Sequence, residues 1–177
     1  MDISPVYVRH AVESVLAAGF LETRFEFRVM DAHELEYQDE TFDIAIGVGI
    51  LHHLDAVTAL KELRRVLKPG GRVLLHEPLA GNPLLKLFRL LTPNARTKDE
   101  SPFTGTQIKT LIENQQWKSD LIYCGLLEAP VAVLTSLLIP NHPDNVLLHF
   151  ADKIEHWTHE RKILLSWNQY VLFNLLK

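Results

Sequence analysis

FDIAIGVGIL, residues 42–51, is almost continuously apolar once Asp43 is passed, the pattern of a strand buried on both faces of a parallel sheet. A strand of that kind belongs at the centre of its sheet. Toward the C-terminus, Asp55 has the chemistry of a helix N-cap. Ala56, Leu60, Leu63 and Leu67 then share one face, and Lys61, Glu62, Arg64 and Arg65 take the other. Lys68-Pro69-Gly70-Gly71 reads as a helix stop and turn, and residues 72–77 (RVLLHE) as the next strand. Toward the N-terminus, Phe25, Phe27 and Val29 alternate with Glu26, Arg28 and Met30, the period of a strand with one apolar face near a sheet edge. Ahead of it, Ser4 and Pro5 open a helix that carries Val8, Ala11, Val12, Val15 and Leu16 on one side and closes at Gly19.

Strands alternating with helices predict an α/β, Rossmann-like fold: an open, mostly parallel sheet with helices on both faces, joined by right-handed crossovers. Beyond Pro78 the regularity breaks. Residues 82–91 (NPLLKLFRLL) read as a short helix and residues 92–103 as a polar, proline-containing loop, together a helical lid insertion. Thr104 or Thr106 caps a helix through Ile108, Leu111 and Ile112, and a strand follows at 121–124. Residues 126–141 and 142–157 read as two more helices, and residues 167–176 fit a closing strand or a last helical turn equally. The expectation is one domain over residues 1–177, with 79–103 and 126–157 as lid or substrate-side segments.

The bulk properties narrow the functions. The chain has 177 residues, 47% of them hydrophobic, enough for a single buried core. Its net charge of −4, with no run of Lys and Arg interleaved with aromatics, argues against nucleic-acid partners. The single cysteine, Cys124, excludes an internal disulfide, and the first residues lack the pattern of a secretory signal, so a cytoplasmic setting is expected. The longest apolar stretch, 126–140, is interrupted by Glu128 and Pro130 and is too short to be a transmembrane segment. His52 and His53 are adjacent and, in an extended chain, would point to opposite sides. With no acid or cysteine at zinc spacing, no metal site is expected.

Three stretches in order, DISP with its helix, VMDAHELEYQDETFDIAIGVGILHHL, and LKELRRVLKPGGRVLLHEP, resemble the class I S-adenosylmethionine-dependent methyltransferases, in particular their small-molecule branch. The resemblance is close from Asp2 to about Phe103 and looser beyond. It implies S-adenosylmethionine as cofactor, bound beyond the carboxyl ends of the strands. By that resemblance Asp2 accepts the two ribose hydroxyls and Asp31 accepts from the adenine amino group. Ile3 and Ala32 then make apolar contact with the ring, and Gly47 and Gly49 let the cofactor approach the backbone. His52 and His53 follow at the mouth where the methyl group emerges. They are the candidate bases, and Glu77 at the next strand end is the candidate functional carboxylate. Asp43, at the base of its strand, reads as structural. The reaction implied is methyl transfer to a small molecule, with Leu84, Leu85, Leu87, Phe88, Leu90 and Leu91 suggesting an apolar or amphipathic acceptor.

One part of the family pattern is not found. A strand and glycine-rich turn should precede the acid at Asp2, and in the family's sheet order two strands lie between residues 25–30 and 42–51. The sequence therefore predicts an N-terminally incomplete sheet with a gap beside residues 42–51, and poor or no binding of S-adenosylmethionine by this chain alone. Three readings stay open: part of a longer enzyme, a non-catalytic methyltransferase-like binding or regulatory module, or a chain that completes its sheet as a homo-oligomer.

Overall fold

The computed structural model describes residues 1–20, 24–83, 86, 101–139, 142 and 144–177. Most of the expected lid, including Leu84, Leu85, Leu87, Phe88, Leu90 and Leu91, lies outside the described residues. Nine regular elements follow one another: α1 (Pro5–Ala17), β1 (Phe42–Val48), α2 (Ala56–Val66), β2 (Leu67–Pro78), α3 (Gly105–Asn114), β3 (Lys118–Cys124), α4 (Glu128–Leu138), α5 (Val146–Glu160) and β4 (Tyr170–Leu176).

The four strands form one sheet in the order β1-β2-β4-β3. β1 and β2 pair in parallel, and β4 runs antiparallel to both β2 and β3, so three strands point one way and β4 the other. The carboxyl ends of β1, β2 and β3 thus share one sheet edge with the start of β4, the edge where an open α/β sheet presents its ligand site.

The core lies on one side of the sheet. Val73 and Leu75 of β2 and Val171, Phe173 and Leu175 of β4 alternate inward, and Ala59 and Leu60 of α2 with Ile108, Leu111 and Ile112 of α3 close over them. Local chemistry sets the helix starts. Asp55 accepts from the Thr58 N–H at 2.8 Å, and Thr104 forms a reciprocal capping box with Gln107. Ser4 caps α1, and Pro5 takes its first position.

Three expectations need correction, and one open choice is resolved. Residues 42–51 do not form a central strand buried on both faces: β1 is an edge strand, and Ile44, Ile46 and Val48 are 54, 74 and 73% exposed. The reason is tertiary, since among the described residues nothing pairs with its outer edge or covers that face. Residues 25–30 do not form a strand. They contribute a single parallel bridge between Val29 and Asp2, with Asp2 N–H donating to the Arg28 carbonyl at 3.3 Å and Met30 N–H to the Asp2 carbonyl at 3.0 Å. Lys68–Gly71 is not a turn between elements. β2 starts at Leu67, immediately after α2, and the KPGG segment bulges out of register, Phe42 facing Leu67 while Ile44 faces Arg72. Gly70 at φ +78° supplies the left-handed residue that the bulge needs. The open choice at 167–176 resolves to a strand, because β4 finds partners on both sides.

No helix among the described residues is long and apolar enough to cross a membrane. Leu60 is fully buried between α2 and the sheet. Leu60→Ala is expected to cost about 2–5 kcal/mol of stability, measured by urea unfolding with the m-value unchanged.

Candidate functional site

The site begins with a buried carboxylate. Glu77, the penultimate residue of β2, is fully buried, and four N–H groups converge on it. The Ile50 and Leu51 N–H groups donate to Oε1 at 3.1 and 2.8 Å, and the His52 N–H donates to Oε2 at 3.3 Å. His52 Nδ1 lies 2.7 Å from the same Oε2. An acceptor of this kind forces the chain after β1 to curl instead of extending, and residues Leu51–His53 form a 3₁₀ turn. The two histidines therefore do not diverge as in an extended chain: their rings lie with centroids 4.0 Å apart, tilted by 40°.

Glu77 is thus turned into the protein, where it holds the turn after β1. His52, its side chain 8% exposed, lies with it. His53 lines a cavity of about 540 Å³ beyond the end of β1. Asp2, Ile3, Asp31, Ala32 and Gly49 line the same cavity, so five of the six cofactor-side candidates and one of the two histidines come together from three separate stretches. Gly47 does not line it. A Cβ there would meet Leu75 Cδ2 at 2.7 Å and Ile50 Cγ2 at 2.9 Å, so its missing side chain serves packing under the core. Gly49 sits at φ +60° and its N–H donates to the His76 carbonyl at 2.8 Å.

Both acids are held by their own loops. Asp2 Oδ1 accepts from the Ser4 N–H at 2.8 Å. Asp31 Oδ1 accepts from the His33 N–H at 2.9 Å and lies 2.7 Å from His33 Nδ1. The backbone N–H and ring of His33 hold the Asp31 carboxyl below the usual carboxylate range. The loop itself is pinned to α2. Arg65 donates to the carbonyls of Leu35 and Tyr37 and makes a two-pronged contact with Glu62, which accepts from the Leu35 N–H at 3.0 Å. Arg65 first, and then the Leu35 N–H, hold the Glu62 carboxyl below its usual value.

The sequence reading missed His33, which lines the cavity and whose Nε2 accepts from the Asp55 N–H at 2.9 Å. Its position directly after Asp31-Ala32 was the available signal. Asp43, by contrast, pairs with Lys68 at 2.8 Å at the far end of β1, away from the cavity. No group of three or more His, Cys, Asp or Glu suited to a metal occurs among the described residues.

Comparison with known proteins agrees with this geometry. Residues 1–75 match the methyltransferase domain family. A demethylmenaquinone methyltransferase of Bacillus subtilis (strain 168) is 38% identical over 78 residues, covering 44% of this chain and 33% of that protein. One from Staphylococcus aureus (strain JH9) is 45% identical over 60 residues, 33% of this chain and 24% of that protein. The chain thus spans a third or less of the length of these curated relatives.

Among solved structures, the [4+2]-cyclase SpnF superposes with a TM-score of 0.62 at 18% identity, over 99% of this chain and 63% of that one. A putative sarcosine dimethylglycine methyltransferase from Galdieria sulphuraria gives 0.61 at 15% identity, over 99% and 68%. A cyclase beside a methyltransferase shows that these likenesses speak for the fold alone.

Replacing Glu77 tests the keystone role. Glu77→Ala leaves one buried and three partly buried donors without their acceptor and is expected to destabilise the chain by about 3 kcal/mol, read by denaturant unfolding. Glu77→Gln, which keeps an acceptor oxygen, is expected to lose less. Residues 1–75 thus match the methyltransferase domain family, and the chain shares its fold with solved S-adenosylmethionine-dependent methyltransferases.

Proposed function

We propose that this chain holds S-adenosylmethionine and serves methyl transfer to a small apolar or amphipathic molecule. The observation that carries the reading is the convergence of Asp2, Asp31 and His53, from three stretches of chain, on one cavity beyond the strand ends. The donor set suits a nucleoside. Asp2 would accept from the ribose hydroxyls and Asp31 from the adenine amino group, with Ile3 and Ala32 as apolar walls. S-adenosylmethionine, when bound, supplies an electrophilic methyl group on a sulfonium. The residues of the chain orient it, exclude water and manage the acceptor's proton. For a hydroxyl or acidic-carbon acceptor, His53 would take that proton, and the bound cofactor would supply the methyl group by release of its carbon–sulfur bond, the electron pair staying on a neutral thioether sulfur. An amine acceptor brings its own lone pair and needs no base. The bacterial relatives are named for transfer to demethylmenaquinone, which supports a small-molecule acceptor here as a class.

Gly49 is the one glycine lining this cavity among the described residues, so the nucleoside end carries most of the affinity. Calorimetry with S-adenosylmethionine and with adenosine is therefore expected to give one site and affinities within about tenfold of each other. Asp2→Ala is expected to weaken both by about tenfold or more. An absence of binding by the folded wild-type chain overturns the reading. Binding without methyl transfer to any of a panel of quinols, phenols and amines favours the non-catalytic module.

We also infer that a second copy associates through the bare edge of β1, because unpaired strand edges recruit strands. Light scattering after size exclusion should find a dimer that Ile46→Lys, at a 74% exposed position, converts to monomer. A wild-type monomer at every concentration removes this inference.

A further inference from the structure

The imidazole of His33 stands between two fixed partners. The Asp55 N–H can only donate, so Nε2, 2.9 Å away, must accept and carries no proton. The ring proton of the neutral form then sits on Nδ1 and points at Asp31 Oδ1, 2.7 Å away. With the His33 N–H also on Oδ1, that oxygen is saturated, while Oδ2 makes no hydrogen bond among the described residues. One tautomer of one histidine therefore sets which oxygen of Asp31 is left to the cavity, and ties it to the first residue of the α2 cap.

We propose that His33 is the positioning residue for recognition of a purine amino group: as the neutral Nδ1–H tautomer it presents Asp31 Oδ2 as an acceptor, and its protonation releases the arrangement. This rests on the cofactor reading above and goes beyond it, since it assigns selectivity for an amino over a carbonyl group at purine C6 to a residue outside the nucleoside contacts. A second proton on the ring would set Nε2–H against the Asp55 N–H, two donors facing each other, and the ring must turn away. The charged and titratable groups facing His33 are Asp31 on its own loop, Asp55 at the start of α2, and Asp2 and His53 across the cavity. Binding of an amino-bearing purine is therefore strongest at the alkaline end and weakens on acidification, whereas discrimination against a carbonyl-bearing purine fades with it.

The test uses the full-length, ¹⁵N-labelled chain. Long-range ¹H–¹⁵N correlation is expected to find the His33 proton on Nδ1 at pH 8 and to show the Asp55 amide moving with the His33 titration. Shift titrations with adenosine and inosine are expected to give a preference for adenosine of about tenfold at pH 8, reduced at pH 5. His33→Ala should remove the preference at both pH values. His33→Asn, whose side-chain amide can still donate to Asp31, should restore most of it and abolish its pH dependence, which a merely structural role would not do.

A proton on Nε2 at pH 8, or an Asp55 amide that ignores the titration, overturns the proposal whether or not a nucleoside binds. The expected tautomer with equal affinity for adenosine and inosine overturns the selectivity assigned to Asp31 and His33 and leaves the methyl-transfer reading standing. The expected tautomer with neither nucleoside bound overturns the cofactor reading and, with it, the ligand assigned here.

Discussion

Four N–H groups closing on the buried carboxylate of Glu77 are the contact on which the candidate site depends. β2 delivers an acceptor to the interior, and the chain leaving β1 must bend to meet it. That bend makes the 3₁₀ turn, sets the His53 ring beside that of His52, and leaves His53 at the cavity while His52 stays inside. A buried carboxylate with so many donors is costly to disturb, because the donors left behind lose their partner in a place that water does not reach. The strand-end acid thus acts on the site through the backbone it holds.

The opposite wall of the cavity depends on α2. Asp55 begins the helix and offers its N–H to His33, and about two to three turns further on Glu62 and Arg65 grip the loop at Leu35, Tyr37 and Asp39. The loop that carries Asp31 has almost no regular structure, so its position comes from these side-chain contacts to a helix already packed on the core. The helix that joins β1 to β2 therefore positions both the core and the loop that carries Asp31.

The sheet is asymmetric, and the cavity sits at its open side. β4 and β2 are paired on both edges, while β1 is paired on one and exposes Ile44, Ile46 and Val48. The bridge between Asp2 and Val29 stands apart from β1 as a second, separate piece of strand pairing, linked through α1. The cavity is bounded by both pieces, which is why residues as distant in sequence as Met1 and Leu54 line it together.

Much was legible in the sequence because it is local. The caps at Ser4, Asp55 and Thr104 and the alternation in β2 depend on neighbours a few residues away. The order of Asp2, Asp31 and the histidine pair lay within the stretches that carried the resemblance, and of these Asp2, Asp31 and His53 line one cavity. What the sequence could not decide was anything set by partners far along the chain. An apolar run such as 42–51 looks the same whether a sheet surrounds it or leaves it at an edge, and residues 25–30 alternate like a strand but meet a partner at Val29 alone. The direction in which Glu77 points, the tautomer of His33 and the packing role of Gly47 were likewise settled by donors and side chains brought in from other elements. Periodicity and capping act within a helical turn or a strand pair, whereas burial and buried hydrogen bonding act between elements, and those are decided by the tertiary structure alone.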